Sequence, residues 1–207
     1  MNYDLSYASS QLISAQDMIS HQKLISKEKS KIDGLEKKWN RIKKNIHDYE
    51  YIYTSPNRNR NISQIIPISR SYFKLKEMLI DSEIQMNQST IFCMAEAPGG
   101  FIQSLLEYKE NISKIYANTL LSKNKDVPNW NHSLLNEDII DFYPGINKDG
   151  DLCNMNNLLS YIKYIGNNTV DLVTGDGGFD YSEDYNKQEI NSVPLIYSEI
   201  FLALNLL

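Results

Sequence analysis

Ile32, Leu35, Trp39, Ile42 and Ile46 recur every three or four positions, so they share one stripe of a helix whose other faces are filled by lysines. The stripe is too short for a sustained coiled coil and predicts docking against the rest of the protein, with Gly34 as a weak point or a break. Pro56-Asn57-Arg58-Asn59-Arg60-Asn61 has turn formers and charge but no apolar period, the pattern of a loop. A boundary is expected there, dividing the chain into an N-terminal helical extension over 1–66 and a second domain over 67–207.

Beyond the boundary the period alternates between strand and helix. Ser69 is placed to cap a helix running through Ser71 to about Ser82, with Tyr72, Leu75 and Leu79 on one face and Arg70 and Lys74 on another. Ser89 to Met94 reads as a buried strand, Phe101 to Tyr108 as a helix turning Ile102, Leu105 and Leu106 inward, and Lys114 to Leu121 as a second strand. Asp138 to Tyr143 is a short strand or turn, 147–151 a loop, Met155 to Ile165 a helix and Val170 to Thr174 a strand. Ser192 to Leu207 is apolar nearly all round, predicting a buried helix that tolerates Pro194 in its first turn. Strands alternating with helices predict an α/β fold with a parallel sheet and right-handed crossovers.

Composition narrows the class. A chain of 207 residues with 42% hydrophobic residues can bury one good core. No apolar run approaches the roughly 20 residues of a membrane span, and Met1-Asn2-Tyr3-Asp4 lacks a signal-peptide layout, so an intracellular protein without a membrane partner is expected. Cys93 and Cys153 have no ligand spacing, and His21, His47 and His132 are scattered, so neither a metal nor a catalytic triad is expected. The net charge of −5 argues against binding nucleic acid by bulk electrostatics. Between Lys23 and Asn45, however, nine Lys and Arg face three acids, which makes either a solvated helix face or a local phosphate-facing patch.

The candidate chemistry lies at two Gly-Gly turns. Phe92 to Phe101 reads as a strand running through Glu96-Ala97-Pro98-Gly99-Gly100 into a helix, and Val170 to Phe179 repeats the device with Asp176-Gly177-Gly178. Such turns admit a ligand close to the backbone, and the helix after the first offers free amide hydrogens. In a parallel sheet both fall at the carboxyl ends of strands, where ligands bind. Neither GxGxxG nor a Lys-containing phosphate loop is present, so a dinucleotide or nucleoside triphosphate is not the first choice. Glu183, Glu189 and Glu199 read as surface or helix-terminal acids.

Ser69-Arg70-Ser71-Tyr72-Phe73-Lys74-Leu75-Lys76-Glu77, then Glu96-Ala97-Pro98-Gly99-Gly100-Phe101, then Asp176-Gly177-Gly178-Phe179 resemble the FtsJ-like RNA ribose 2′-O-methyltransferases, over roughly 67–207. The likeness is greatest to the cap-specific branch, including its large-DNA-virus members. The resemblance implies a Rossmann-like methyltransferase sheet, S-adenosylmethionine as cofactor, and RNA, first of all capped mRNA, as partner. It also implies a virus-encoded protein of the cytoplasm or nucleus. The family's Lys-Asp-Lys-Glu set would place its first Lys at Lys74 and its Asp at Asp176. Cofactor contacts would fall along Ala95, Glu96, Ala97, Pro98, Gly99, Gly100 and Phe101, with Asp151 and Leu152 in a second segment and Ser69 near the methionine end. A ribose hydroxyl is a poor nucleophile, so Lys74 is expected to be held and partly desolvated, with Asp176 orienting it.

Three departures accompany the likeness. Cys93 stands where many relatives carry an Asp that meets the cofactor's amino group, and Glu96 is the expected substitute. The strand Lys114 to Leu121 lacks a terminal acid for the cofactor's ribose. The second Lys and the Glu of the set have no counterpart before Leu207, which predicts a sheet incomplete at its C-terminus and a chain that is part of a longer protein. A non-catalytic RNA-binding or capping-complex subunit with the same fold is the rival reading. A nicotinamide-dependent oxidoreductase is disfavoured by the missing GxGxxG.

Overall fold

The computed structural model describes residues 15–42, 51–55, 57–179 and 188–207. Ile46, His47, Pro56 and Glu183 lie outside the described residues. The chain divides into two compact units, Met1–Ile65 and Ile66–Leu207.

In the first unit, α1 (Ala15–Lys29) runs into a 3-10 turn (Ser30–Ile32), and α2 (Glu36–Ile42) follows after a break. The break falls at Gly34, whose φ of +83° is a left-handed conformation that favours glycine. One continuous stripe therefore does not form. Ile32, Leu35, Trp39 and Ile42 are 41–51% exposed. Asn57 caps the 3-10 turn Arg58–Arg60 by accepting the Asn59 N–H, and the Asn61 side chain accepts from Ser55.

In the second unit, the described strands are β1 (Ser89–Met94), β2 (Ile112–Ala117), β3 (Ile140–Phe142) and β4 (Leu172–Gly175), ordered β3-β2-β1-β4 and all parallel. This is the α/β, Rossmann-like architecture expected. Residues alternate faces along a strand, and β1 shows the consequence. Ile91 and Cys93 join α3 (Ser71–Asp81) and α4 (Gly100–Leu105) in one core through Leu75, Leu79, Phe101, Ile102 and Leu105. Phe92 and Met94 join α5 (Met155–Ile165) and α6 (Gln188–Leu206) in the other through Leu158, Tyr161, Leu195 and Leu202.

Several boundaries differ from expectation for local reasons. β2 ends at Ala117 rather than Leu121 because the Asn118 backbone is drawn to the β1 loop: its N–H donates to Cys93 O and its carbonyl accepts from Glu96 N. α4 stops at Leu105 and tightens into a 3-10 turn, Leu106–Asn111, in which Tyr108 leaves helical geometry to pack on the core and Leu106 is only partly buried. Ser69 does not cap α3 with its side chain; Arg70 holds the cap position. α6 starts before Ser192 and encloses Pro194. It is buried along Leu195, Ser198, Leu202 and Leu206, whereas Ile190, Tyr197 and Leu204 are 69–77% exposed, so it is not buried all round. Among the described residues no helix is long and apolar enough to cross a membrane.

Candidate functional site

The order β3-β2-β1-β4 places successive strands on opposite sides of β1, and a ligand crevice forms at the carboxyl ends of the strands where that reversal occurs. Register fixes what emerges there. Met94 pairs with Gly175 and Cys93 with Ala117, so Ala95, Asn118 and Asp176 leave the sheet side by side. Between them opens a cavity of about 680 Å³, within the usual range for small-ligand sites. Ala95, Ala97, Asp151, Leu152 and Asp176, all expected at the site, line it.

Asp176 also meets the other expected catalytic residue. Lys74 Nζ on α3 donates to both carboxylate oxygens of Asp176, at 2.9 and 2.7 Å, a contact 102 positions apart in sequence. The pair is held but not dry: the Lys74 side chain is 54% exposed and that of Asp176 38%.

The first Gly-Gly turn serves packing. Gly99 has φ +111°, and a Cβ there would run into Leu134; one on Gly100 would run into the Ser69 and Ser71 hydroxyls and lie 2.9 Å from Tyr72 N. Gly100 brings the starts of α3 and α4 together, and Gly99 faces the Leu134 side chain. The α4 amides are not open either, because Glu96 Oε1 accepts the Phe101 N–H at 2.6 Å and faces that of Ile102 at 3.4 Å. Ser69 is tied to Ser71, hydroxyl to hydroxyl at 2.5 Å. Ser69, Glu96, Pro98, Gly99, Gly100 and Phe101 are not among the residues that line the cavity.

Glu96 is 4% exposed, and burial pushes its carboxyl up to about 8, outweighing the two N–H donors that pull it down; Asp176 adds to the rise. The sign for stability follows. The folded carboxyl keeps its proton above the usual 4.5, where the unfolded chain has released it, so stability falls as pH rises from about 4.5 to about 8 and is level beyond. A raised Glu199 carboxyl acts in the same direction. Glu96→Gln, which can still accept the Phe101 N–H, should flatten most of this slope and be more stable than wild type at pH 8, by on the order of 3 kcal/mol. Urea titrations at pH 5 and pH 8 check this.

Sequence reasoning missed several wall residues. The Asn118 side chain, buried at the end of β2, donates to Gly150 O at 3.1 Å and to the Tyr161 hydroxyl, and accepts from Ala95 N at 3.4 Å, tying three cavity loops together. Its position at a strand end was the available signal, hidden by a strand read four residues too long. Asp151 Oδ1 accepts the Cys153 N–H, and Asp149 accepts that of Asp151, which orders the second wall. Asp126 and Phe179 also line the cavity. Glu199, read as a surface or helix-terminal acid, is instead partly buried against the Asp176 turn.

Among the described residues, the lining of this cavity carries the carboxylates of Asp126, Asp151 and Asp176 and neither Lys nor Arg. Its carboxylates suit a ligand with hydroxyls and positive charge and disfavour phosphates.

A parallel α/β sheet with a ligand crevice and a Lys-Asp pair at its rim defines the class. The chain belongs to the FtsJ-like methyltransferase family, whose model matches residues 67–207. Among curated proteins it is 29% identical, over 141 residues, to a cap-specific mRNA (nucleoside-2′-O-)-methyltransferase 2 of Danio rerio. That match covers 63% of this chain and 19% of the relative, so the chain spans about a fifth of its length. Among solved structures it is similar to a Plasmodium falciparum protein described as a ribosomal RNA methyltransferase, with a TM-score of 0.45, 17% identity, and coverage of 63% of this chain and 67% of the other.

Proposed function

We propose that residues 67–207 form the donor-binding and part of the catalytic machinery of an S-adenosylmethionine-dependent enzyme that methylates a ribose 2′-hydroxyl of RNA, with the cap ribose of mRNA the first candidate. The observation that carries this reading is the Lys74–Asp176 pair at the edge of an acidic, phosphate-repelling cavity in an FtsJ-like chain. The donor, when bound, supplies a methyl group on a sulfonium centre. Its positive charge and ribose hydroxyls fit the carboxylates of Asp126, Asp151 and Asp176, and the apolar walls of Val127, Leu152 and Leu195 fit its adenosine.

Lys74 Nζ is then the group offered to the RNA hydroxyl, and Asp176 fixes its direction through two hydrogen bonds. RNA laid over the half-exposed pair would exclude water from it and set Nζ to take the hydroxyl proton as the new O–C bond forms and the donor's C–S bond breaks, leaving a neutral thioether. Positioning supplies much of the acceleration. The basic run between Lys23 and Asn45 is suited to RNA phosphates, and an intracellular site, cytoplasmic or nuclear and in a virus-infected cell, suits such a substrate.

Tritium transfer from labelled S-adenosylmethionine by the full-length protein tests the reading, with capped RNA expected to accept more label than the same RNA uncapped. Equal labelling would remove the cap assignment. Failure with every RNA despite donor binding would favour the non-catalytic subunit, a role that the closed Gly99-Gly100 turn also accommodates.

A further inference from the structure

We infer that Glu199, three turns into α6, is a positioning residue that supports the Asp176-Gly177-Gly178 turn from below and so fixes Asp176 for its contact with Lys74. The inference rests on the role proposed for that pair.

The geometry points to it from both sides. A Cβ on Gly175 would sit 3.1 Å from Glu199 Oε1, and one on Gly177 would sit 2.6 Å from it. Any side chain at Gly177 would therefore strike the carboxylate, so the glycines flanking Asp176 make room for an acid coming from another element. Leu195, one helical turn earlier on α6, closes the same space: its Cδ2 would lie 2.8 Å from a Gly177 Cβ. On the opposite side Ala95 Cβ would lie 3.1 Å away, so the turn is clamped between α6 and the first loop.

The charge placement is costly and calls for a reason. Glu199 Oε1 is buried without a hydrogen bond of normal geometry among the described residues. Burial raises its carboxyl, the Gly177 N–H opposes the rise, and Asp176 adds to it. An apolar side chain would fill the space at less cost, since an incompletely partnered buried acid stabilises little. What the carboxylate adds is an acceptor close to the Gly177 N–H of the turn that carries Asp176. Glu199 does not line the cavity, so its effect reaches the chemistry through Asp176.

Glu199→Leu keeps the buried volume and removes the acceptor, while Glu199→Gln keeps an acceptor oxygen and removes the charge. Amide hydrogen exchange across 175–179, measured in the full chain, is expected to quicken about tenfold in Glu199→Leu with β1 and β2 unchanged, and to return to near wild type in Glu199→Gln. In the full-length enzyme, Glu199→Leu should lower kcat about tenfold with the KM for the methyl donor within about twofold, and Glu199→Gln should recover most of kcat. Unchanged exchange at 175–179 in Glu199→Leu overturns the inference, as does an equal loss in the Gln and Leu variants. The exchange measurement needs no turnover, so a protein inactive on every RNA would defeat the proposed function while leaving this inference to be decided. Should Glu199→Leu not fold, Glu199→Asp, which draws the carboxylate back by one methylene, decides it: faster exchange at 175–179 supports the inference, and unchanged exchange contradicts it.

Discussion

Lys74→Ala is expected to reduce methyl transfer by the full-length protein on the order of 10³-fold while leaving affinity for the methyl donor within about threefold. The separation follows from where the side chain sits. Lys74 Nζ bonds to Asp176, whose carboxylate borders the cavity, and Lys74 itself is not part of the lining. Removing it takes away the group that meets the acceptor hydroxyl and leaves the donor's walls in place. Lys74→Arg should not rescue, because a guanidinium cannot give up its proton near neutral pH and presents a planar fork in place of one nitrogen. Single-turnover transfer beside calorimetric donor binding measures both halves. Loss of donor binding with activity would move Lys74 from chemistry to binding.

Gly150→Ala is expected to be the most damaging single methyl in the second unit. Gly150 adopts φ +72°, which an L side chain disfavours, and a Cβ would collide with the Thr119 carbonyl oxygen and lie 3.2 Å from Leu120 Cα. These neighbours are backbone and cannot rotate aside. The loop would have to retreat from Thr119, breaking the Asn118-to-Gly150 hydrogen bond and moving Asp151 and Leu152 out of the cavity wall. A cost of about 3 kcal/mol, read as a fall in Tm of roughly 10 °C, is expected together with loss of donor binding. Thermal unfolding with and without donor checks this, and a Tm within 2 °C of wild type would show that the loop yields easily.

The legible parts of the fold were those in which one period dominates. The stripe of Tyr72, Leu75 and Leu79 gave α3, the apolar run around Ile91 gave β1, and Met155 to Ile165 gave α5 within its observed bounds. Boundaries failed where a side chain or backbone contact distant in sequence ends an element, as at Asn118, or where a glycine takes a left-handed turn, as at Gly34. The site divides in the same way. Lys74 and Asp176 were legible through a family likeness, because nothing in local periodicity relates positions 102 apart. The close packing at Gly99 and Gly100 was not legible, since a glycine needed for helix approach and one needed for ligand approach look alike in sequence. Glu199 was passed over because a lone acid within an apolar helix declares no partner until the Gly175 and Gly177 backbones are set against it.

Directing a methyl group onto a ribose hydroxyl is the task proposed for the Lys74–Asp176 pair. Its most direct test is the chemical identity of the product: RNA labelled by the full-length protein, digested to nucleosides and separated by mass. The label is expected in 2′-O-methyl nucleosides and lost in Lys74→Ala. Label on a base, or 2′-O-methyl product undiminished in Lys74→Ala, would contradict it.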